Sequence, residues 1–329
     1  MYAAVVSPFD HPPRYQEFET PLASGPHEVL VDVVAAGLHP RVRSQADGSH
    51  YTSTDELPLV PGIDGVGLLP DGRHVYFVLP DTAMGSMAER TVIDRRRTIA
   101  LADGADPLRI AAAMNPAMSS WVALRRRIHF EPGRSVLILG ATGSAGRLAI
   151  QVVRHLGAGR VIAAGRNRLL RDTLPDLGAD VVVGLDGEPG DVSSKLGDAA
   201  QDVDIVLDYL WGEPAAQAMT GIVTQRTDRG RALTWIQIGS VAGPAASVPS
   251  AALRAANLQI VGSGQGSVAA ADILAELPEL ANRISDSTFT VDAVGLPLSQ
   301  VEAAWTEATT PGQRVVLCPD LDAPTIQAR

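Results

Sequence analysis

The segment VLILGATGSAGRLAIQVVRHLGAG, residues 136–159, restricts the fold of this chain more than any other. An apolar strand pattern runs directly into Gly140, Gly143 and Gly146, and an amphipathic helix pattern takes over. Glycines at such a turn serve the tight bend, the close approach of the backbone to a pyrophosphate, and the packing of helix against strand. The helix start adds unpaired N–H groups and the positive end of its dipole. The spacing is not a strict GxGxxG, because the first interval is one residue longer, so the glycines alone carry little. Their context carries more: the strand stops at the first glycine, the helix begins after the second, and a further strand pattern, RVIAAG, follows as a βαβ unit needs. Gly140, Ala141, Thr142, Gly143, Ser144, Ala145 and Gly146 are therefore expected to cradle a dinucleotide, the competing reading being a glycine turn that merely packs.

RVIAAG ends in Gly165 and is followed by Arg166, Asn167 and Arg168. An NAD site ordinarily places Asp or Glu roughly 20 residues beyond the loop, whereas an NADP site drops the acid and adds arginine for the 2′-phosphate. Here the acid is missing and arginines follow at once, with guanidinium forks suited to phosphate. NADP(H) is the expected cofactor; the alternative is that both arginines are solvent-facing charges at a helix start. Ligands of open α/β sheets gather beyond the carboxyl ends of the strands. Asp208 with Tyr209, and Gly239 with Ser240, each ending a strand pattern, are therefore expected at the same edge.

From about Ser119 to Gly262, strand patterns (VLILG, VIAAG, VVVG, IVLDYL, LTWIQIG) alternate with helical ones. That alternation means a doubly wound parallel sheet. Before it, short β-rich runs such as HEVLVDVVAAG, GRHVYFV and MAERTVI predict a mostly antiparallel, barrel-like domain, onto which the mixed tail is expected to fold back. The fold class is α/β, with residues 1–117 and 265–329 in one domain and 118–264 in the other; 329 residues suffice for both. A net charge of -10 opposes nucleic-acid and anionic-membrane partners, and no segment has the uncharged apolar length to cross a bilayer. Cys318 is the one cysteine, which excludes an internal disulfide and a multi-cysteine metal site. The start MYAAVVSPFD lacks the pattern of a signal peptide, so a cytoplasmic location is expected.

The order of AAGLHP at residues 35–40, PGIDGVG from Pro61, GSMAE from Gly85, NPAMSSW from Asn115, GATGSAG, DIVLDYLWG from Asp204, IQIGSVAG from Ile236 and GQRVVL from Gly312 resembles the medium-chain dehydrogenase/reductase superfamily. Within it, the chain is most similar to the zinc-independent, quinone oxidoreductase-like branch. The resemblance covers nearly the whole chain and rests on order and spacing, since no single motif is decisive. It implies a GroES-like β-barrel catalytic domain and a Rossmann NADP(H)-binding domain, and a homodimer formed through edge strands near Leu258 to Gly262. Zinc alcohol dehydrogenases of the superfamily carry a cysteine and a His-Glu pair where this chain has Leu38, Ile63 and Asp64, so no metal is expected. The implied activity is NADPH-dependent hydride transfer to a small quinone or α,β-unsaturated carbonyl substrate. A zinc-free ketone or alcohol oxidoreductase of a biosynthetic pathway, and a non-catalytic NADPH-binding protein, stay open as alternatives.

Without a metal, negative charge on a substrate oxygen must be met by hydrogen-bond donors or solvent. The resemblance implies that the residue before the proline of AAGLHP and a tyrosine further along line the pocket; these are His39, where relatives commonly have Asn, and Tyr51. A neutral imidazole donates to a carbonyl and a charged one protonates an enolate; both stay open, as does a structural role for either residue. Ser119 stands where relatives place Thr or Ser near the nicotinamide, or else caps a helix before Trp121. Ser263, Gly264 and Arg314 are placed at the cofactor by the resemblance alone. Lys195, the only lysine, has no tyrosine four residues before it, which excludes the acid–base pair of short-chain reductases.

Overall fold

The computed structural model describes residues 1–307 and 310–319. They fall into two compact units, one holding Met1–Asn115 and the chain from Leu274 onward, the other Pro116–Ile273. The first stretch forms β1 (Tyr2–Val5), β2 (Arg14–Glu17), β3 (Glu28–Gly37), α1 (Pro40–Ala46), β4 (Asp64–Leu68), β5 (His74–Val78), β6 (Arg90–Asp94), β7 (Thr98–Ala100) and α2 (Pro107–Val122). The alternating pattern now starts with β8 (Ser135–Leu139), α3 (Ser144–His155), β9 (Arg160–Gly165), α4 (Arg168–Arg171), β10 (Val181–Gly184) and α5 (Pro189–Ala200). It continues with β11 (Ile205–Asp208), α6 (Gly212–Gln225), β12 (Leu233–Gln237), α7 (Ser250–Ala255) and β13 (Leu258–Gly262). The tail adds α8 (Ala270–Ser285), β14 (Asp292–Pro297), α9 (Val301–Thr306) and β15 (Gln313–Cys318).

In the first unit, β3 shows why the sequence makes a strand. Val29, Val31 and Val33 alternate into the core while Glu28 and Asp32 stay exposed. A register shift between Val33 and Ala35 breaks the alternation, and Ala35, Ala36 and Gly37 are all buried before the chain turns through His39 into α1. The sheet runs β14-β15-β3-β4-β5-β7, with β6 also on β3. Its pairs are antiparallel except β14 with β15, which are parallel because α9 carries the chain back between them. Val31, Phe77, Met87, Val301 and Leu317 belong to its core.

The second unit carries a six-stranded parallel sheet in the order β10-β9-β8-β11-β12-β13. Val136–Leu139 and Ile205–Asp208 are wholly buried, as continuous apolar runs must be in a sheet covered on both sides. From β8 the chain steps outward to β9 and β10, then returns to the other side of β8 as β11. The order therefore reverses between β8 and β11, where such sheets open a crevice at their carboxyl ends.

The units divide inside α2, at Pro116, and inside α8, between Ile273 and Leu274. Residues 320–329 of the expected first domain lie outside the described residues. Among the described residues no helix is long and apolar enough to cross a membrane.

Candidate active site

The register of the parallel sheet puts the expected cofactor residues on one edge. Ala164 pairs with Leu139, Leu139 with Asp208, Asp208 with Gln237, and Gln237 with Gly262. One residue further along each strand stand Gly165, Gly140, Tyr209, Ile238 and Ser263, followed by Gly239, Ser240 and Gly264. Gly140 turns out of β8 with φ +89, a left-handed backbone that side chains disfavour. At Gly146 a Cβ would stand 2.4 Å from the Gly140 oxygen and 2.7 Å from Ala141 Cα, so α3 lies directly on the loop. Gly143 precedes the helix without a side-chain cap, and the first turn holds no acid. The N–H groups of Ser144, Ala145 and Gly146 have no acceptor within the helix. A cradle of backbone donors, closed against side chains and free of carboxylates, fits a dinucleotide pyrophosphate.

Beside the loop, the Thr142 side chain fills the space where a Cβ on Gly165 would lie, 2.5 Å from Thr142 Cγ2. Asn167 caps α4, its Oδ1 accepting from Leu170 N–H at 3.2 Å. Arg166 and Arg168 are exposed and make no ion pair among the described residues, whereas nearby Arg171 is paired with Asp186. Two exposed guanidinium groups without an ion pair thus stand where the acid of an NAD site would be, Arg168 acting on Asp186 only at a distance.

Asp208 has a different occupation. It is fully buried, and its Oδ1 accepts from Leu210 and Trp211 N–H, both at 2.9 Å, while Oδ2 accepts from Trp235 Nε1–H at 2.9 Å. Burial pushes its carboxyl up against the pull of these donors. The turn it holds contains Trp211 at φ 52, a strained backbone for a large residue. Tyr209 and Leu210 pack on Gly140, 3.2 Å from where its Cβ would be. Tyr209, 7% exposed, is 3.0 Å through its hydroxyl from Ser119 Oγ, and burial pushes it up to about 12. Ser119 lies inside α2 and gives its proton to the Pro116 carbonyl at 2.7 Å, so Tyr209 is the donor to Ser119. Gly239 lies 2.8 Å, by its virtual Cβ, from the Tyr209 carbonyl, and Ser240 is exposed. Ser263 is 9% exposed, and Gly264 closes a small turn with Ser267.

In the first unit, His39 is 1% exposed, with Nε2 3.1 Å from Asp64 Oδ1 and Nδ1 against Arg314 Nη2. Tyr76 donates to Asp64 Oδ2 at 2.6 Å. Both nitrogens of His39 are occupied by the protein's own side chains, and Arg314, 7% exposed, faces His39. Burial draws Arg314 down to about 10, which leaves it charged at neutral pH. Tyr51 is 73% exposed, its ring 4.4 Å from that of His50. Arg41 ties the loop down, reaching Thr52 at 2.8 Å and Asp81 at 2.7 Å. Leu38 and Ile63 are buried, and among the described residues no group of three His, Cys, Asp or Glu is placed to hold a metal. Sequence reasoning did not find Asp64 and Tyr76 as partners of His39, nor Trp235 as partner of Asp208. A buried indole N–H and a buried phenol each need an acceptor, which was the signal available for Trp235 and Tyr76.

No family model matches the chain. The probable NADPH-dependent quinone reductase tdiC of Emericella nidulans is 32% identical over 360 residues, which take in 97% of this chain and all of that protein (100%). The chloroplastic NADPH-dependent alkenal/one oxidoreductase of Arabidopsis thaliana is 29% identical over 200 residues, 56% of this chain and 50% of that one. The quinone oxidoreductase of Thermus thermophilus shares the fold, with a TM-score of 0.80 at 24% identity over 97% of this chain and 100% of that one. Full-length identity to the fungal protein, on a sheet of this order with this glycine loop, means that the chain belongs to the medium-chain dehydrogenase/reductase superfamily, in its quinone oxidoreductase-like branch.

Proposed function

We propose that this protein is an NADPH-dependent oxidoreductase that reduces a quinone or an α,β-unsaturated carbonyl compound without zinc. The observation that carries the reading is the end of β9, where Thr142 fills the space at Gly165 and the two unpaired arginines, Arg166 and Arg168, replace an acid beside the glycine cradle. That arrangement favours a 2′-phosphate over a 2′-hydroxyl. NADPH, when bound, supplies the hydride. In the loop Gly140–Gly146, the backbone N–H groups of Ser144, Ala145 and Gly146 would hold its pyrophosphate, and Arg166 with Arg168 its 2′-phosphate.

Charge that develops on the substrate oxygen needs a donor in place of a Lewis acid. Leu38 and Ile63 offer no metal ligand, and Asp64 is already engaged by His39 and Tyr76. Tyr51, an exposed residue, is the donor we assign to the substrate, since both nitrogens of His39 are spent on the protein. A homodimer through β13 agrees with its position as outermost strand of its sheet, with residues only half buried. A cytoplasmic protein agrees with a single, buried thiol.

The test follows NADPH absorbance with metal-stripped protein against quinones, enones and the matching saturated ketones, each repeated with NADH. Oxidation of NADPH in preference to NADH, needing a quinone or enone and slowed by Tyr51→Phe, is the expected result. Turnover restored only by added zinc, or confined to saturated ketones, overturns the reading. Tight NADPH binding with no turnover across the panel overturns it in favour of a binding protein.

A further inference from the structure

Four buried polar side chains of the first unit form one hydrogen-bonded chain. Tyr76 from β5 donates to Asp64 of β4 at 2.6 Å, Asp64 lies 3.1 Å from His39 Nε2, and His39 Nδ1 meets Arg314 of β15. Their exposures are 0%, 1%, 1% and 7%, so none relies on solvent for a partner.

A guanidinium carries N–H donors and no acceptor. At the contact with Arg314, therefore, Nδ1 of His39 must be the acceptor and carries no proton. The ring is then neutral with its proton on Nε2, the nitrogen that faces a carboxylate oxygen. Every polarity along the chain follows: Tyr76 and His39 both donate to Asp64, and Arg314 donates to His39. The negative charge of Asp64 and the positive charge of Arg314 balance across a neutral ring. A second proton on His39 would set N–H against N–H and bury a cation beside a cation. The charged groups that act on the ring are Asp64, Arg314 and Arg41; burial and the two arginines draw it below the ordinary imidazole range against the opposing pull of Asp64. Gly37 makes room for the ring, because a Cβ there would stand 2.5 Å from His39 Cε1 and 2.6 Å from the Ala111 oxygen.

We propose that Arg314 is a lock on His39, holding the ring as the neutral Nε2–H tautomer so that His39 braces the turn into α1 and gives no proton to substrate. His39 is a positioning residue, and Arg314 acts through it rather than on a cofactor. The tautomer does not depend on the proposed reduction; only the rate measurement below rests on that reading.

The test uses the full chain with 15N-labelled histidine, its ring signals followed by two-bond 15N–1H correlation from pH 5 to 9 and assigned by their loss in His39→Gln. One ring is expected to keep the Nε2–H pattern over the whole range, through the ordinary imidazole value of about 6.5. Arg314→Met removes the donor and leaves the ring beside Asp64 with no opposing cation at Nδ1. His39 in that variant should take up a second proton within this pH range, and the kcat/KM profile should gain a limb at the same pH that the wild type lacks. Arg314→Lys, which restores donors without an acceptor, should abolish both changes. A merely structural Arg314 would lower Tm in both variants and move neither signal. Titration of His39 in the wild type between pH 5 and 8, a proton on Nδ1, or an Arg314→Met ring that stays neutral overturns the proposal. The wild-type titration decides it even if Arg314→Met does not fold, and the ring signals decide it even if no acceptor is reduced.

Discussion

Replacing Asp208 separates bracing from binding at the carboxyl edge of the parallel sheet. The side chain is fully buried and serves three donors, Leu210 N–H, Trp211 N–H and Trp235 Nε1–H, each at 2.9 Å. Asp208→Ala strands all three in a dry site, and a stranded donor costs about 1–3 kcal/mol. The wild type bears the desolvation of a carboxylate, evident in its raised pKa, and the alanine variant recovers it. The net loss is therefore nearer the lower end of the sum, about 3–5 kcal/mol. Asp208→Asn keeps Oδ1 for the two backbone donors and sets an amide N–H against the indole N–H, a loss of one bond, about 1–3 kcal/mol. The variants differ more sharply in binding. Trp211 sits at φ 52 because the carboxylate holds its N–H, and that strain is worth about 1–3 kcal/mol. Once released, the turn relaxes away from Gly140, and NADPH affinity falls by about 5- to 150-fold in the alanine variant, with much less change in the asparagine variant. Urea unfolding, read by tryptophan emission, gives the stability difference; NADPH titration gives the affinity. Equal urea midpoints for alanine and wild type, or equal NADPH affinities for alanine and asparagine, would refute the reasoning, because the donors would then have found water and the turn would not depend on the carboxylate.

Arg166→Ala with Arg168→Ala should weaken NADPH binding about 10- to 100-fold through lost charge-assisted bonds and leave NADH unchanged; equal losses for the two nucleotides would show that neither arginine meets a 2′-phosphate. Gly146→Ala brings a Cβ to 2.4 Å from the Gly140 oxygen, where only a shift of α3 makes room. We expect about 1–3 kcal/mol of lost stability in calorimetry together with weaker NADPH binding, and an unchanged Tm would count against the close approach. The neutral state of His39 predicts the acid limb of stability. Its folded pKa lies below the ordinary imidazole value of 6.5, so its contribution is full above that value and is lost as pH falls through and below it, where the unfolded chain binds a proton and the folded chain does not. His39→Asn should flatten the fall in Tm between pH 6.5 and 5, a window set by that shift, and a variant curve parallel to the wild type would assign the limb elsewhere, with His50, shifted in the same direction, the next group to test.

Where the physical signal is local, the sequence is readable. The glycine loop, the strand before it and the helix after it are set by neighbouring residues, so the crevice between β8 and β11 follows from one stretch of chain and the alternation around it. Asn167, grouped with its arginine neighbours at the cofactor, in fact caps α4 through its side chain. Parallel pairing of β14 with β15 was not readable, because strand patterns carry no direction and α9 between them is short. Nor was the state of His39. Its partners lie 25 and 275 residues away, so a histidine placed by its motif at a substrate pocket is, in space, between a carboxylate and a guanidinium.

The same distinction decides what a polar residue at a strand end does. Asp208 ends one buried strand of the sheet and Arg166 follows another, both at its carboxyl edge, and the position alone would give both to a ligand. What separates them is the hydrogen bonding already satisfied within the protein. Asp208 accepts three internal donors and is fully buried, so what it offers a cofactor is the shape of the turn it holds. Arg166 and Arg168 are exposed and paired to no carboxylate among the described residues, on a chain whose net charge is -10 and which has acids to spare. Cations left unpaired in so acidic a protein, beside a cradle of unpaired backbone donors, are an electrostatic preference for an anion that the fold itself does not satisfy. A dinucleotide that carries a third phosphate satisfies both the cradle and the arginines, and one without it satisfies the cradle alone.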